Sequence, residues 1–219
     1  MRVLALDSAV GRCAITALVD GTAFSEQQEA ARRQPGLLAE MTQRILAALP
    51  IPITGLDAIA VTVGPGSFTG IRSALALAHG LGLASGIPVV GVTVGEAMRQ
   101  SLPFLGHRAL WTVIPSRPGR VFIEMEDAVL SVPMTELPRP TTPVAIAGTA
   151  SHEVASRLAA RGVNVMLTDA RFPTGLSIGE AAISRLNGGL PPRAAEPLYV
   201  DAPEARPPAH PVPALPAAD

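Results

Sequence analysis

From Arg2 to Leu6 the chain is apolar and rich in strand formers, and it stops at a polar turn, Asp7-Ser8-Ala9-Val10-Gly11. Cys13 to Val19 is apolar again, Asp20-Gly21 is a tight-turn pair, and Thr22 to Glu29 turns polar, as a strand does on reaching a sheet edge. These stretches predict consecutive hairpins. After Pro35-Gly36 the period changes: Leu38, Met41, Ile45 and Leu49 recur at helical spacing, Leu37 and Leu46 widen the stripe, and Pro50 and Pro52 end it. Ala58 to Val63 predicts a buried strand, Gly70 to Ala84 a helix and Val89 to Val92 a further strand. Residues 1–100 therefore read as a first lobe of plan β-β-β-α-β-α-β.

The pattern loosens around Gln100 to Arg108, which suits a hinge or linker. Strands follow at Leu110 to Ile114, Arg120 to Met125, Val144 to Ala147 and Val163 to Leu167, with helices at His152 to Arg161 and Ser177 to Leu186. Residues 101–190 thus resemble a reduced second copy of the opening plan, without a clear internal repeat. Residues 191–219 are rich in proline and alanine, and most of them after about 201 are expected to be extended or disordered.

Composition narrows the chemistry. At 219 residues the chain can bury a sizeable core, and a net charge of −1 carries no signature of a nucleic-acid binder, so contact with RNA would need a partner's charge. All 17 basic residues are arginine, which excludes a Schiff base, a P-loop lysine and a Ser-Lys dyad. The one cysteine, Cys13, sits in an apolar run as a small core residue, and a reducing cytoplasm fits. The most hydrophobic stretch, Ile71 to Val94, is broken by Arg72, His79, glycines and Pro88, so no membrane span is expected; the start of the chain lacks the long apolar region of a signal peptide.

The stretch GPGSFTGIR, 64–72, raises the possibility of a phosphate cradle. Gly64-Pro65-Gly66 makes a stiff turn after a strand, Ser67 or Thr69 can cap the next helix, and the free amides there would attract an anion. The stretch lacks the lysine ending of a P-loop and the third glycine of the dinucleotide fingerprint, so turn and cap is the competing reading. Asp7 divides the same way, between magnesium beside a nucleotide and a hydrogen bond to its own turn; a weak phosphate site would comprise Asp7, Ser8, Gly64, Gly66 and Ser67. On the following helix Gly70, Ala74, Ala78 and Gly82 recur every fourth residue, and close packing explains Gly80 and Gly82. That face serves either the lobe's own sheet or another chain.

Other chemistry is thin. The four histidines, His79, His107, His152 and His210, have no metal-ligand spacing, and no G-x-S-x-G elbow is present. No metal site and no catalytic residue are expected.

RVLALDSAVGRCAITALVDG at 2–21, GPGSFTGIRSALALAHGLGLASGIPVVGV at 64–92 and AEPLYVDAPEARP at 195–207 together resemble the TsaB family. That resemblance implies an α/β, actin/Hsp70-like (ASKHA) fold of two lobes, mixed sheets flanked by helices, with the second lobe shortened. It also implies a non-catalytic subunit of the complex that makes N6-threonylcarbamoyladenosine in transfer RNA. The catalytic paralogue TsaD carries a metal-binding His-x-x-x-His after its third strand; Ala31-Arg32-Arg33-Gln34-Pro35-Gly36-Leu37-Leu38-Ala39-Glu40 has no histidine. Departures from the family are Gln34-Pro35 before the first helix, Pro115-Ser116-Arg117 followed by Phe122, and Tyr199-Val200-Asp201.

The resemblance implies pairing with TsaD through the first lobe's two helices, on Leu37, Leu38, Met41, Ile45, Gly70, Ile71, Ala74, Leu75, Ala78, His79 and Gly82. The ATPase TsaE would dock on that pair, the chain alone would form a homodimer through the same face, and tRNA would be met only through the complex. No cofactor is expected on this chain; ATP, magnesium and a metal ion belong to the partner subunits. The alternative is an independent ATP-binding enzyme of kinase type on the same fold; a metalloprotease is disfavoured by the histidine spacing.

Overall fold

The structure, a computed structural model, describes residues 1–29 and 34–201. The expected disorder of 202–219 and the Ala31-Arg32-Arg33 part of the compared segment lie outside the described residues.

The first sheet has the strand order β3-β2-β1-β4-β5, from β1 (Val3–Asp7), β2 (Arg12–Val19), β3 (Thr22–Glu29), β4 (Ala58–Gly64) and β5 (Val89–Thr93). β1 to β3 form an antiparallel meander; β1, β4 and β5 run parallel. Position follows composition. β4, AIAVTVG, is buried at every residue, as a central parallel strand covered on both faces must be, while β3, TAFSEQQE, is polar and mostly exposed at the edge. The β2–β3 turn puts Asp20 and Gly21 at φ 48° and 85°, the left-handed pair that a two-residue hairpin demands.

Helices α1 (Gln34–Ala48) and α2 (Phe68–Ser85) cover one face of this sheet. Leu38, Met41, Ile71, Leu75 and Ala78 close that core over Leu4, Leu6, Ile15 and Ile59. Each buried leucine or isoleucine contributes about 1.5–3 kcal/mol. A short helix, α3 (Val94–Gln100), follows β5 without a break; its Thr93 hydroxyl and Glu96 carboxylate form a capping box.

The second sheet joins β6 (Ala109–Pro115), β7 (Arg120–Glu124), β8 (Val129–Pro133), β9 (Val144–Ala147) and β10 (Val165–Leu167) in the order β10-β9-β6-β7-β8. Read from its other edge this is the first sheet's order again: three antiparallel strands, then two parallel ones beside the first of them. The copy is reduced because β8 reaches β9 through irregular chain, where the first lobe has α1. α4 (Ser151–Ala160) packs Val154 and Leu158 on the sheet. β8 was not expected from the sequence.

The last helix, α5 (Gly175–Leu186), follows the second lobe in the chain but packs on the first. Ile178, Ala181 and Ala182 cover Val3, Ala5, Ala58, Ala60, Val90 and Val92 on the face opposite α1 and α2. The sequence boundary at 101–190 is therefore corrected: a parallel sheet needs both faces covered, and the chain must return to cover the second. Among the described residues no helix is long and apolar enough to cross a membrane.

Candidate functional site

The two turns singled out in the sequence meet, and they brace each other. Asp7, 1% exposed, accepts from the Thr62 hydroxyl at 2.6 Å and the Ala9 amide at 2.9 Å. Burial pushes its carboxyl up to about 6 against those hydrogen bonds. Ser67 donates its amide to the Ala9 carbonyl at 2.7 Å, and its hydroxyl accepts from the Gly70 amide at 3.3 Å as the N-cap of α2. A methyl group on Gly70 would run into the Ser8 carbonyl oxygen. Ser8 is fully buried with its hydroxyl 3.4 Å from the Cys13 sulfur, and burial raises the Cys13 thiol. The polar groups of Asp7 and Ser67 are thus engaged within the chain, which is turn-and-cap geometry. Of the candidate phosphate residues, Gly66 and Ser67 reach the cleft described next, whereas Asp7, Ser8 and Gly64 lie behind its wall.

That cleft, about 1210 Å³, lies between the lobes. Val10, Ile71, Leu198, Ile114, Phe122 and Phe172 wall it. Its mouth is aromatic and cationic: the Arg72 guanidinium lies 3.8 Å from the centroid of the Phe68 ring and donates to the Tyr199 hydroxyl at 2.7 Å. Arg12 stacks on Phe172 at 4.3 Å, and Arg117 approaches Asp201 at 3.9 Å. Residues 191–201 reach the cleft along the first lobe, with the Leu198 amide donating to Val63 O at 2.8 Å.

The helix pair needs a correction. Leu38, Met41, Ile45, Gly70, Ile71, Ala74, Leu75, Ala78 and Gly82 are buried in the chain's own fold, and Leu37 is half-buried. The small-residue face therefore turns inward, where a Cβ on Gly82 would lie 2.6 Å from Val89 Cγ2 and 2.9 Å from the Ile87 carbonyl oxygen. Gly80, read with it, faces open space. His79 is exposed but engaged: its Nε2 lies 2.8 Å from the Ala195 carbonyl. What the pair presents outward is a different set. Leu83 is 89% and Phe68 59% exposed, and a hollow of about 490 Å³ is formed by Phe68, Thr69, Arg72, Ser73, Ala76 and Leu77.

A polar cluster joins the lobes, unanticipated from the sequence. Glu124, at the end of β7, is buried and accepts from the Gly95 amide at 2.6 Å. Burial pushes its carboxyl up to about 7, with Glu96 adding to the rise and hydrogen bonds from Thr93 and Gly95 opposing it. Burial would also raise Glu96, but the Thr93 amide and Arg185 hold it below the usual range. Arg185, buried on α5, donates to Glu96, to Gly91 O and to Pro191 O. Among the described residues no three His, Cys, Asp or Glu side chains converge as metal ligands would.

Known proteins share this architecture and parts of this sequence. A family model described as TsaD, tRNA N6-adenosine threonylcarbamoyltransferase, matches residues 25–108. TsaB of Escherichia coli (strain K12), named as a tRNA threonylcarbamoyladenosine biosynthesis protein, is 35% identical over 123 residues, 56% of this chain and 53% of that protein. The protein of the same name from Haemophilus influenzae is 32% identical over 101 residues, 46% of this chain and 43% of that one. The chain spans about half the length of these curated relatives. A crystal structure from Pseudomonas aeruginosa, described as an uncharacterized protein with similarity to peptidase YeaZ, has a TM-score of 0.77 at 23% identity, covering 91% of this chain and 99% of that one. Two lobes built on one strand plan, meeting over a cleft, give this chain an actin/Hsp70-like fold. Within that fold the chain is similar to the TsaB proteins over about half of its length.

Proposed function

We propose that this chain is a non-catalytic docking subunit in the synthesis of threonylcarbamoyladenosine in tRNA. It binds and stabilises a TsaD-type catalytic subunit, which transfers the threonylcarbamoyl group to the adenosine next to the anticodon. The observation that carries the reading is the outer face of α2. With its small-residue face sealed on the lobe, the helix still presents Leu83 and Phe68 to solvent, beside a shallow apolar hollow. The names of its relatives support the pathway, and the inward pairing of Asp7 and Ser67 supports a role without chemistry of its own. In this reading ATP, magnesium and a metal ion are held by the partner subunits, a TsaE-type ATPase joins the assembled pair, and the chain alone pairs with itself through the same face in the cytoplasm. A net charge of −1 fits a subunit that meets tRNA only through its partner.

The test is Leu83→Arg. A surface change of this kind shifts folding stability by about 0.5 kcal/mol or less, whereas a charge buried at the centre of an interface costs about 2 kcal/mol or more, roughly thirty-fold in affinity. The variant should melt like wild type and lose co-purification with the organism's TsaD-type protein. Undiminished binding would remove the α2 face from the interface.

A further inference from the structure

The outward side of α2 is one stripe. Phe68, Arg72, Ala76 and Leu83 are all exposed and follow one another at intervals of four, four and seven residues, which places them along a single face of the helix. Arg72 is the one arginine of α2, and the helix has no aspartate or glutamate. A full positive charge therefore stands inside an otherwise apolar stripe.

The chain fixes that charge in place without cancelling it. The Arg72 guanidinium lies 3.8 Å from the Phe68 ring centroid, and its Nε and Nη2 donate to the Tyr199 hydroxyl at 3.2 and 2.7 Å. Elsewhere on the surface Arg2, Arg44 and Arg157 pair with Asp20, Glu26 and Glu153. Among the described residues no carboxylate meets Arg72, and no acceptor meets its Nη1. A guanidinium has five N–H donors, so protons on both Nη atoms remain for an acceptor from outside.

Water satisfies such a group while α2 is exposed. Docking removes the water, and a desolvated charge left without a counter-charge is strongly unfavourable. A guanidinium already held by a ring and a phenol loses little side-chain freedom when it meets a carboxylate, and it offers the fork that a carboxylate fits. The α2 helix of a second copy has no carboxylate to give, and two copies joined helix to helix would set two guanidiniums together.

Given the docking role proposed above, on which this rests, we infer that Arg72 is the charged anchor of the α2 face, and that the TsaD-type partner sets an aspartate or glutamate against it within the interface. The same pairing favours that partner over an α2-to-α2 contact with a second copy.

Calorimetric affinities for the organism's purified TsaD-type protein test the pairing. Arg72→Gln changes an exposed residue, so it should melt like wild type, and it should bind about thirty-fold or more weakly. Among partner variants with single surface aspartates or glutamates changed to Asn or Gln, one should show the same loss by itself and cost little further when combined with Arg72→Gln. Wild-type affinity of Arg72→Gln, with Leu83→Arg still deficient, would overturn the charged anchor and leave the docking face standing. Wild-type affinity of both variants would remove the docking face and the anchor with it. A loss that couples to no carboxylate of the partner would also overturn the pairing. So would a loss seen only when tRNA is present, because the guanidinium would then be meeting a phosphate.

Discussion

Two buried carboxylates tie single residues to pH. Asp7 and Glu124 both have carboxyls raised by burial, to about 6 and about 7. A raised acid favours the fold most fully below its unfolded pKa, and that contribution is lost as pH climbs through the folded value. Stability should therefore fall from about pH 4 to about pH 7, each residue accounting for about 3 kcal/mol at most. Asp7→Asn should remove the part of the slope below about pH 6, and Glu124→Gln the part that continues towards pH 7. Urea midpoints measured across this range check it; slopes unchanged by either substitution would mean that water reaches both groups. Asp7 was legible because it ends an apolar strand at a turn, and its two roles could be stated from sequence. Glu124 was not, since its burial is created by Gly95, 29 positions away in the chain and in the other lobe.

Elements with one apolar stripe or an unbroken buried run could be read directly, as α1 and β4 were. α2 could not be oriented. It is apolar nearly all round, so periodicity marks a small-residue face without saying whether it meets the chain's own sheet or a neighbour. The glycines settle this by contact. Gly82→Ala should destabilise by about 1–3 kcal/mol, because the new methyl meets Val89 and the Ile87 backbone and overpacking outweighs helix propensity. Gly80→Ala, with nothing within 4 Å, should stabilise by about 0.5–1 kcal/mol. Opposite shifts in thermal midpoint are the expected result, and equal shifts would contradict the inward orientation. α3 was missed although Thr93 and Glu96 have capping-box spacing, because Val94-Gly95 reads as loop. β8 escaped for another reason: it is short, half-buried throughout and ends in Pro133.

The whole molecule is two lobes in plan but not two folding units in chain order. The duplicated strand arrangement could be seen in outline, since each lobe's strands are local in sequence. The return of α5 to the first sheet could not, because nothing in an amphipathic helix states which sheet it will cover. This return makes the first lobe's stability depend on residues beyond the second lobe. Ile178, fully buried against Val3, Ala5, Ala58 and Ala60, is the clearest probe. Ile178→Ala removes its side-chain packing at a cost of about 2–5 kcal/mol. If α5 belonged to the second lobe, hydrogen exchange would quicken first in β6 and β9. The observed packing predicts the reverse: β1, β4 and β5 should lose protection together with α5, while β6 and β9, whose core is closed by α4, should change less. The same dependence means that residues 1–100 expressed alone should not reach the native fold, because the sheet face formed by Val3, Ala58 and Val90 would be left to water.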